Sequence, residues 1–392
     1  MLLDLASLAP GDRLAGLAGR AARHLFLDRQ ADFWLRAIDP LWSLAEPRAR
    51  IVAVTRETPD TKTFRLRPAR DLGGWRAGQH VAVAAEIDGR RVRRWYSISS
   101  VPGVGRDLAI TVTRVAGGRM SGWLHEHARV GDCVVLDRPA GAFVLPDPLP
   151  RALLFVSGGS GITPIMPMLE TLVRGRQPID AVLLHYAPDA RHLIFVRRLA
   201  ALAGSAPGLR VRVGLTRAAT ERASERPDRG ARRRARAGVE LVPACRRLDA
   251  AELARLVPDF AARATFVCGP ARLMDALDAI RARQAPAWPL ARERFTAARA
   301  AIPAQGVVAG ELALARSGLR VHASSDRSLL EQIEAAGGQP AYGCRAGICG
   351  TCACRTLAGT VRNLVTGAIS DEAGAAIRLC VSAPVGPVTL DL

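Results

Sequence analysis

Tyr342-Gly-Cys-Arg-Ala-Gly-Ile-Cys-Gly-Thr-Cys352 packs three cysteines into one short loop, and a fourth, Cys380, follows after 27 further residues. The spacing is Cys344, four residues, Cys349, two residues, Cys352. Four thiolates in this order ligate a 2Fe–2S cluster. Gly343, Ala346, Gly347 and Gly350 are small, so the backbone can turn tightly and aim N–H groups at the sulfurs. A structural zinc site is the rival reading, but zinc loops present two close cysteine pairs across a spacer, whereas here three ligands crowd one loop. Cys344, Cys349, Cys352 and Cys380 are therefore the expected metal ligands. Cys354, two residues past the loop, is expected to be a buried strand cysteine. Five of the eight cysteines lie between 344 and 380, and Cys133, Cys245 and Cys268 are scattered. That distribution points to metal or redox chemistry rather than a disulfide scaffold.

Outward from the loop, a helix around SLLEQIEAAG and closing strands ending VTLDL make a small α+β module, expected over 308–392. The stretch 284–307, with three prolines and many alanines, reads as a linker. Before it, strand-like and helix-like segments alternate from ALLFVSGG to ARLMDALDAIRAR, which predicts a parallel sheet with crossover helices over 149–300. Further upstream, RIVAVTRET, TKTFRLRP, HVAVAAEIDG, LAITVTRV and CVVLDRP are short β runs separated by Gly, Pro and Asp. They predict an antiparallel barrel over 48–148. Residues 1–47 read as a helical extension (AGRAARHLFL, then ADFWLRAI) closing at Asp39-Pro40.

The totals fit this multidomain reading, since 392 residues exceed one ordinary core. No apolar run is long enough to cross a bilayer, and the N-terminus lacks the pattern of a secretory signal. A cytoplasmic location, extending to the inner face of the membrane, is the expectation. The formal charge is +19, yet Lys62 is the only lysine, and nine arginines fall within 218–247. That Arg-rich insert reads as a solvated loop rather than a nucleic-acid site. The overall charge favours an acidic protein partner or an anionic membrane face.

The cluster loop resembles that of plant-type ferredoxin domains, whose fold is a β-grasp. Arg94-Trp95-Tyr96-Ser97-Ile-Ser-Ser resembles the RxYSxxS motif of the ferredoxin–NADP reductase superfamily. Gly78-Gln79-His80-Val81 lies upstream of it, and Gly117-Gly118-Arg119-Met120-Ser121 lies downstream, as they do in that family. The arginine offers a charge-assisted fork to a flavin pyrophosphate. Tyr96 can lie against the flavin ring, and Ser97 can bond near the position where hydride arrives. The glycine pair opens a helix at which backbone N–H groups meet phosphate. The resemblance implies FAD, held by His80, Arg94, Trp95, Tyr96, Ser97, Gly117, Gly118, Met120 and Ser121.

Phe155-Val-Ser-Gly158-Gly159-Ser-Gly161-Ile-Thr163-Pro164 ends a strand and opens a helix, where glycines let backbone approach a pyrophosphate. This GGxGxTP form, and Cys268-Gly269-Pro270 with Leu273-Met274, resemble the nicotinamide motifs of the same superfamily. They imply that Cys268 sits beside the nicotinamide, with Ser97 and Cys268 as the catalytic pair. Thr216-Arg217 matches a Ser/Thr-Arg pair that holds a 2′-phosphate, and Arg191 is a second candidate, so NADP is expected in preference to NAD. Glu293-Arg-Phe295 resembles a short motif whose acid and aromatic approach the flavin.

The resemblance thus implies a flavin and iron–sulfur oxidoreductase. Hydride passes from NADPH to FAD, and single electrons leave through the 2Fe–2S cluster to an acceptor protein. The leading helices with Asp39-Pro40-Leu-Trp42, and the ending Leu379-Cys380-Val-Ser-Ala-Pro-Val-Gly with Leu390-Asp-Leu392, resemble electron donors of membrane fatty-acid desaturases. A desaturase or hydroxylase is the first expected partner, with peripheral membrane association. A soluble ring-hydroxylating or other oxygenase is the alternative. A non-catalytic redox sensor or nucleic-acid binder is disfavoured by three intact cofactor motifs.

Overall fold

The computed structural model describes residues 28–175, 178–217, 239–242, 248–283, 288, 290–295, 308–343, 345, 347 and 350–392. The expected helix AGRAARHLFL, cluster ligands Cys344 and Cys349, and most of the Arg-rich insert lie outside these residues.

Helix α1 (Asp28–Ile38) leads into a six-stranded antiparallel sheet. Its strands are β1 (Arg48–Thr58), β2 (Thr61–Pro68), β3 (His80–Ile87), β4 (Arg90–Ser97), β5 (Leu108–Thr113) and β6 (Cys133–Leu136), in the order β4-β3-β6-β1-β2-β5. Alternate side chains such as Ile51, Phe64, Val81, Ile110 and Leu136 point into one core. Helix α2 (Arg119–Glu126) packs onto that core by burying Met120 and Leu124.

The next module is a parallel sheet with order β10-β9-β8-β7-β11-β12. It comprises β7 (Leu153–Gly158), β8 (Ala181–Ala187), β9 (Leu209–Leu215), β10 (Val239–Val242), β11 (Ala264–Cys268) and β12 (Ala291–Glu293). Every residue of β7, β8 and β11 is buried, as expected of strands covered on both faces. Helices α3 (Ile162–Arg174) and α4 (Val196–Ser205) cover one face. The other face is covered by α5 (Ala250–Leu256) and α6 (Ala271–Ala282). The chain starts at β7, moves outward to β10, and returns to β11 on β7's other side. The order therefore reverses between β7 and β11, where a crevice opens at the strands' carboxyl ends.

The last module is a mixed sheet, β14-β13-β18-β15-β16, with β17 paired to β15. Its strands are β13 (Ala309–Leu314), β14 (Arg320–Ser324), β15 (Ala353–Asn363), β16 (Ile369–Ser370), β17 (Ala376–Arg378) and β18 (Ser382–Leu390). Only β13 and β18 run parallel. Helix α7 (Leu329–Ala335) starts in a capping box of Ser328 and Glu331 and buries Leu329, Leu330 and Ile333 against the sheet.

The three expected architectures are present, with local corrections. The motif Arg94–Ser97 forms the end of strand β4. The expected linker 284–307 contains β12, which pairs with β11. Within the expected insert, Val239–Val242 forms the sheet edge beside β9. Helix α4 begins only at Val196, because Phe195 adopts a left-handed backbone at φ 60.

Candidate active site

Strands β3 and β4 pair with His80 opposite Ser97, so two residues distant in sequence meet at one end of the barrel. Glu293, the last residue of β12, reaches them from the second module. Its Oε1 lies 3.1 Å from His80 Nδ1, and Ser97 Oγ donates to its Oε2 at 3.4 Å. Parallel pairing sets Cys268 level with Glu293 on the adjacent strand. Burial pushes the Cys268 thiol well above its usual range, and Glu293 adds to the shift. Four chemically capable groups, from four strands and two modules, thus converge.

Three of them, His80, Ser97 and Glu293, border a cavity of about 550 Å³. Of the expected flavin residues, His80, Arg94, Trp95, Tyr96, Ser97, Gly117, Gly118, Met120 and Ser121 all line it. Thr113, Val115, Ala116 and Arg119 of the barrel add to the wall, and Glu293, Arg294, Phe295, Tyr342, Gly343 and Arg345 complete it from the other two modules. Cys268 does not belong to the wall and is fully buried. Of the added residues, Glu293 and Phe295 carried a motif signal. Arg345 and Tyr342 come from the cluster loop, and no sequence pattern places them near the barrel.

The cavity's chemistry suits a flavin dinucleotide. Trp95 Nε1 is buried and has no hydrogen-bond partner among the described residues. Burial holds the Tyr96 hydroxyl above its usual range, only partly opposed by Arg94, so Tyr96 stays neutral. At the start of α2, Gly118 has no side-chain cap, which leaves amide donors free for phosphate. A Cβ on Gly118 would sit 2.4 Å from Ser121 Oγ, while Gly117 holds φ +69. The turn requires both glycines.

At the switch point, the second pair of motifs meets. A Cβ on Gly161 would lie 2.0 Å from the Cys268 carbonyl oxygen, one on Gly158 would lie 2.8 Å from Pro270, and one on Gly269 would lie 2.9 Å from the Gly158 nitrogen. Gly159, by contrast, has φ +53 and open space around it. The buried Thr163 donates to the Ser160 carbonyl at 2.8 Å, and Pro164 occupies the first turn of α3. These are the features of a backbone cradle for a pyrophosphate. Two strands away, Thr216 and Arg217 donate their amides to Ala187 and Pro188. Asp189 gathers the Arg191 amide (2.9 Å), His192 Nδ1 (2.8 Å) and Arg217 Nη1 (3.4 Å). Both expected phosphate-binding arginines therefore sit around one loop.

Of the four expected cluster ligands, Cys352 and Cys380 are within the described residues. Their Sγ atoms are 3.3 Å apart and both side chains are buried, a donor pair that fits a shared iron. Gly347 (φ +73) and Gly350 (φ +68) give the loop its turns. Cys354 is buried on β15 and its thiol donates to the Arg355 carbonyl at 3.4 Å, as expected of a strand cysteine.

Family models match in the same order along the chain: an oxidoreductase FAD-binding domain over residues 48–145, an oxidoreductase NAD-binding domain over 155–278, and a 2Fe-2S iron-sulfur cluster binding domain over 312–385. An NADPH oxidoreductase of Mycobacterium tuberculosis is 37% identical over 365 residues, covering 92% of this chain and 88% of that protein. The glycine betaine monooxygenase reductase subunit of Chromohalobacter salexigens is 30% identical, covering 89% and 96%. A phenoxybenzoate dioxygenase subunit of Ectopseudomonas oleovorans is 31% identical, covering 89% and 98%. The solved structure of phthalate dioxygenase reductase shares the fold with a TM-score of 0.57 at 21% identity, covering 89% of this chain and 98% of that one. The chain therefore belongs to the ferredoxin–NADP reductase family, as an NAD(P)H oxidoreductase with flavin and C-terminal 2Fe–2S ferredoxin domains.

Proposed function

We propose that the chain is the reductase component of a multicomponent oxygenase. One observation carries the reading. The flavin cavity is walled by all three modules, with the barrel on one side, Glu293 and Phe295 on another, and Tyr342-Gly343 of the cluster loop on a third. Bound there, FAD would accept hydride from a nicotinamide and release electrons singly toward the cluster.

The protein's own part is positioning. Trp95, Tyr96 and the Gly117-Gly118 turn hold the dinucleotide, and the glycines 158, 159 and 161 bring the nicotinamide carrier to the switch point. Ser97 and Glu293 place a hydroxyl and a carboxyl where hydride is transferred, and buried Cys268 fixes the strand behind them. Arg198 ties the modules together by donating to the Ser99 carbonyl (2.9 Å) and to both Glu170 oxygens (2.9 and 2.7 Å). Cys344, Cys349, Cys352 and Cys380 would hold the cluster. Thr216, Arg217 and Arg191 favour NADPH, because a guanidinium recognises the extra phosphate.

An oxygenase acceptor is preferred to the desaturase expected from sequence. Two of the relatives that cover nearly the whole chain are named for a glycine betaine monooxygenase and a phenoxybenzoate dioxygenase. The desaturase reading keeps one supporting feature. Helix α1 turns Asp32 inward, where it accepts from Ser43 Oγ at 2.7 Å, and leaves Phe33, Trp34 and Ile38 exposed. Reconstitution separates the two. NADPH oxidation coupled to turnover by a soluble terminal oxygenase supports the first; stimulation confined to lipid desaturation in membranes supports the second. A purified protein without flavin or iron–sulfur absorption would sink both.

A further inference from the structure

Arg94 lines the flavin cavity and also touches the cluster loop. Its Cζ stands 3.9 Å from the centroid of the Tyr342 ring, and its Nη1 donates to the Tyr342 carbonyl at 3.3 Å. From the ferredoxin module, Arg345 brings its Cζ to 4.1 Å from the same centroid. Arg345 is anchored in turn, because its Nη2 reaches both oxygens of Glu334 at 2.6 and 2.8 Å. One position earlier on β4, Arg93 donates to Thr351 Oγ1 at 2.8 Å and pairs with Asp137. Consecutive arginines of one barrel strand therefore grip the cluster loop at Tyr342 and at Thr351, on either side of Cys344 and Cys349.

The two arginines differ in what neutralises them. Arg93 has Asp137. Among the described residues, no carboxylate lies within ion-pair distance of Arg94, although the side chain is largely buried. A guanidinium can stack its flat face on a ring while its N–H edge stays open to an oxyanion. Arg94 offers that edge to the cavity.

We propose that Arg94 and Tyr342 form a latch that couples flavin binding to seating of the cluster loop. The proposal rests on the flavin reading above. A pyrophosphate on the edge of Arg94 fixes the guanidinium, and the fixed guanidinium holds Tyr342 and the loop that carries the cluster ligands. Coupling between two sites is reciprocal, so a seated loop also strengthens flavin binding. Tyr342 is thus a positioning residue that acts through Arg94.

The test is a double-mutant cycle on the full-length chain carrying its cluster but stripped of flavin, read as FAD affinity by titration. Tyr342→Leu is expected to weaken FAD binding about threefold to tenfold when Arg94 is present. In an Arg94→Gln background the same change should have almost no further effect. Tyr342→Phe keeps the ring and should bind like the parent. In the same samples, FAD should slow backbone hydrogen exchange at residues 338–343 in the parent but not in Arg94→Gln. Independent effects in the cycle, or exchange indifferent to FAD, overturn the latch. Failure of the parent chain to bind FAD would overturn the flavin reading itself, so the two failures are distinguishable. Cluster absorbance in each variant verifies that the ferredoxin module is folded.

Discussion

Ser97 is the residue whose substitution most directly probes hydride delivery, because its hydroxyl is buried and bonded to Glu293. Ser97→Ala removes the donor with little change in volume. It should slow NADPH-driven flavin reduction by about a hundredfold while leaving the NADPH KM nearly unchanged, measured by stopped-flow absorbance. Arg217 poses the complementary question of cofactor choice. It is 63% exposed and its Nη1 donates to Asp189 at 3.4 Å, so removing so exposed a side chain costs little stability. Arg217→Ala should raise the KM for NADPH about tenfold or more and spare that for NADH. His185 matters for stability rather than for chemistry. It is fully buried, its Nδ1 lies 2.8 Å from Ser157 Oγ, and desolvation lowers its pKa from 6.5 to about 4. The folded protein therefore holds His185 neutral, while the unfolded chain takes a proton below about pH 6.5. Its contribution is intact above pH 6.5 and is lost as pH falls from 6.5 toward 4. Between about pH 7 and 5.5 the loss should be about 1 kcal/mol. Urea unfolding of the parent and of His185→Gln across that interval measures it, and equal pH slopes would exclude His185 as the source.

Elements of this chain were legible where periodicity or glycine chemistry marked them, and obscure where tertiary pairing alone made them. The barrel runs and the buried strands β7, β8 and β11 announce themselves as short apolar or alternating segments. Strand β12 has three residues, Ala-Arg-Glu, with no apolar pattern of its own. It exists because β11 supplies a free edge, and it is what carries Glu293 to the flavin cavity. Strand β10 is similar, an edge segment within an arginine-rich context. The Arg94–Tyr342 contact spans 248 positions and no local signal could reveal it. The glycine turns, by contrast, were readable in kind, and the structure now separates their reasons. Gly161 has an ordinary φ of −62, so it is demanded purely by the 2.0 Å clearance to the Cys268 carbonyl. Gly159 has positive φ but open surroundings. Gly161→Ala should therefore push β11 away from α3, costing about 2–3 kcal/mol and most NADPH affinity. Gly159→Ala should cost only about 1 kcal/mol. Thermal unfolding and NADPH titration of both variants check the ranking, and a reversed order would refute the clearance argument.

At the scale of the whole molecule, the dominant fact is charge. The chain carries 55 basic against 36 acidic residues, giving +19 with histidine neutral. No helix among the described residues is long and apolar enough to cross a membrane. Hydride transfer and transfer to the cluster both occur inside one molecule, across walls the three modules share. Neither step requires diffusional encounter between charged proteins. Delivery to the acceptor does, and a strongly positive donor steers an acidic partner over a range set by the Debye length, about 10 Å at 0.1 M salt. Salt should therefore divide the route in two. With pre-reduced protein mixed against an acidic acceptor, the bimolecular rate constant should fall about tenfold between roughly 20 and 300 mM salt. The internal flavin-to-cluster rate should stay flat over the same range. A basic acceptor such as cytochrome c should show the opposite slope, its reduction speeding up as repulsion is screened. A salt-independent rate with both acceptors would mean that the arginine excess faces away from the docking surface. The acceptor would then have to dock through apolar contacts near the cluster loop.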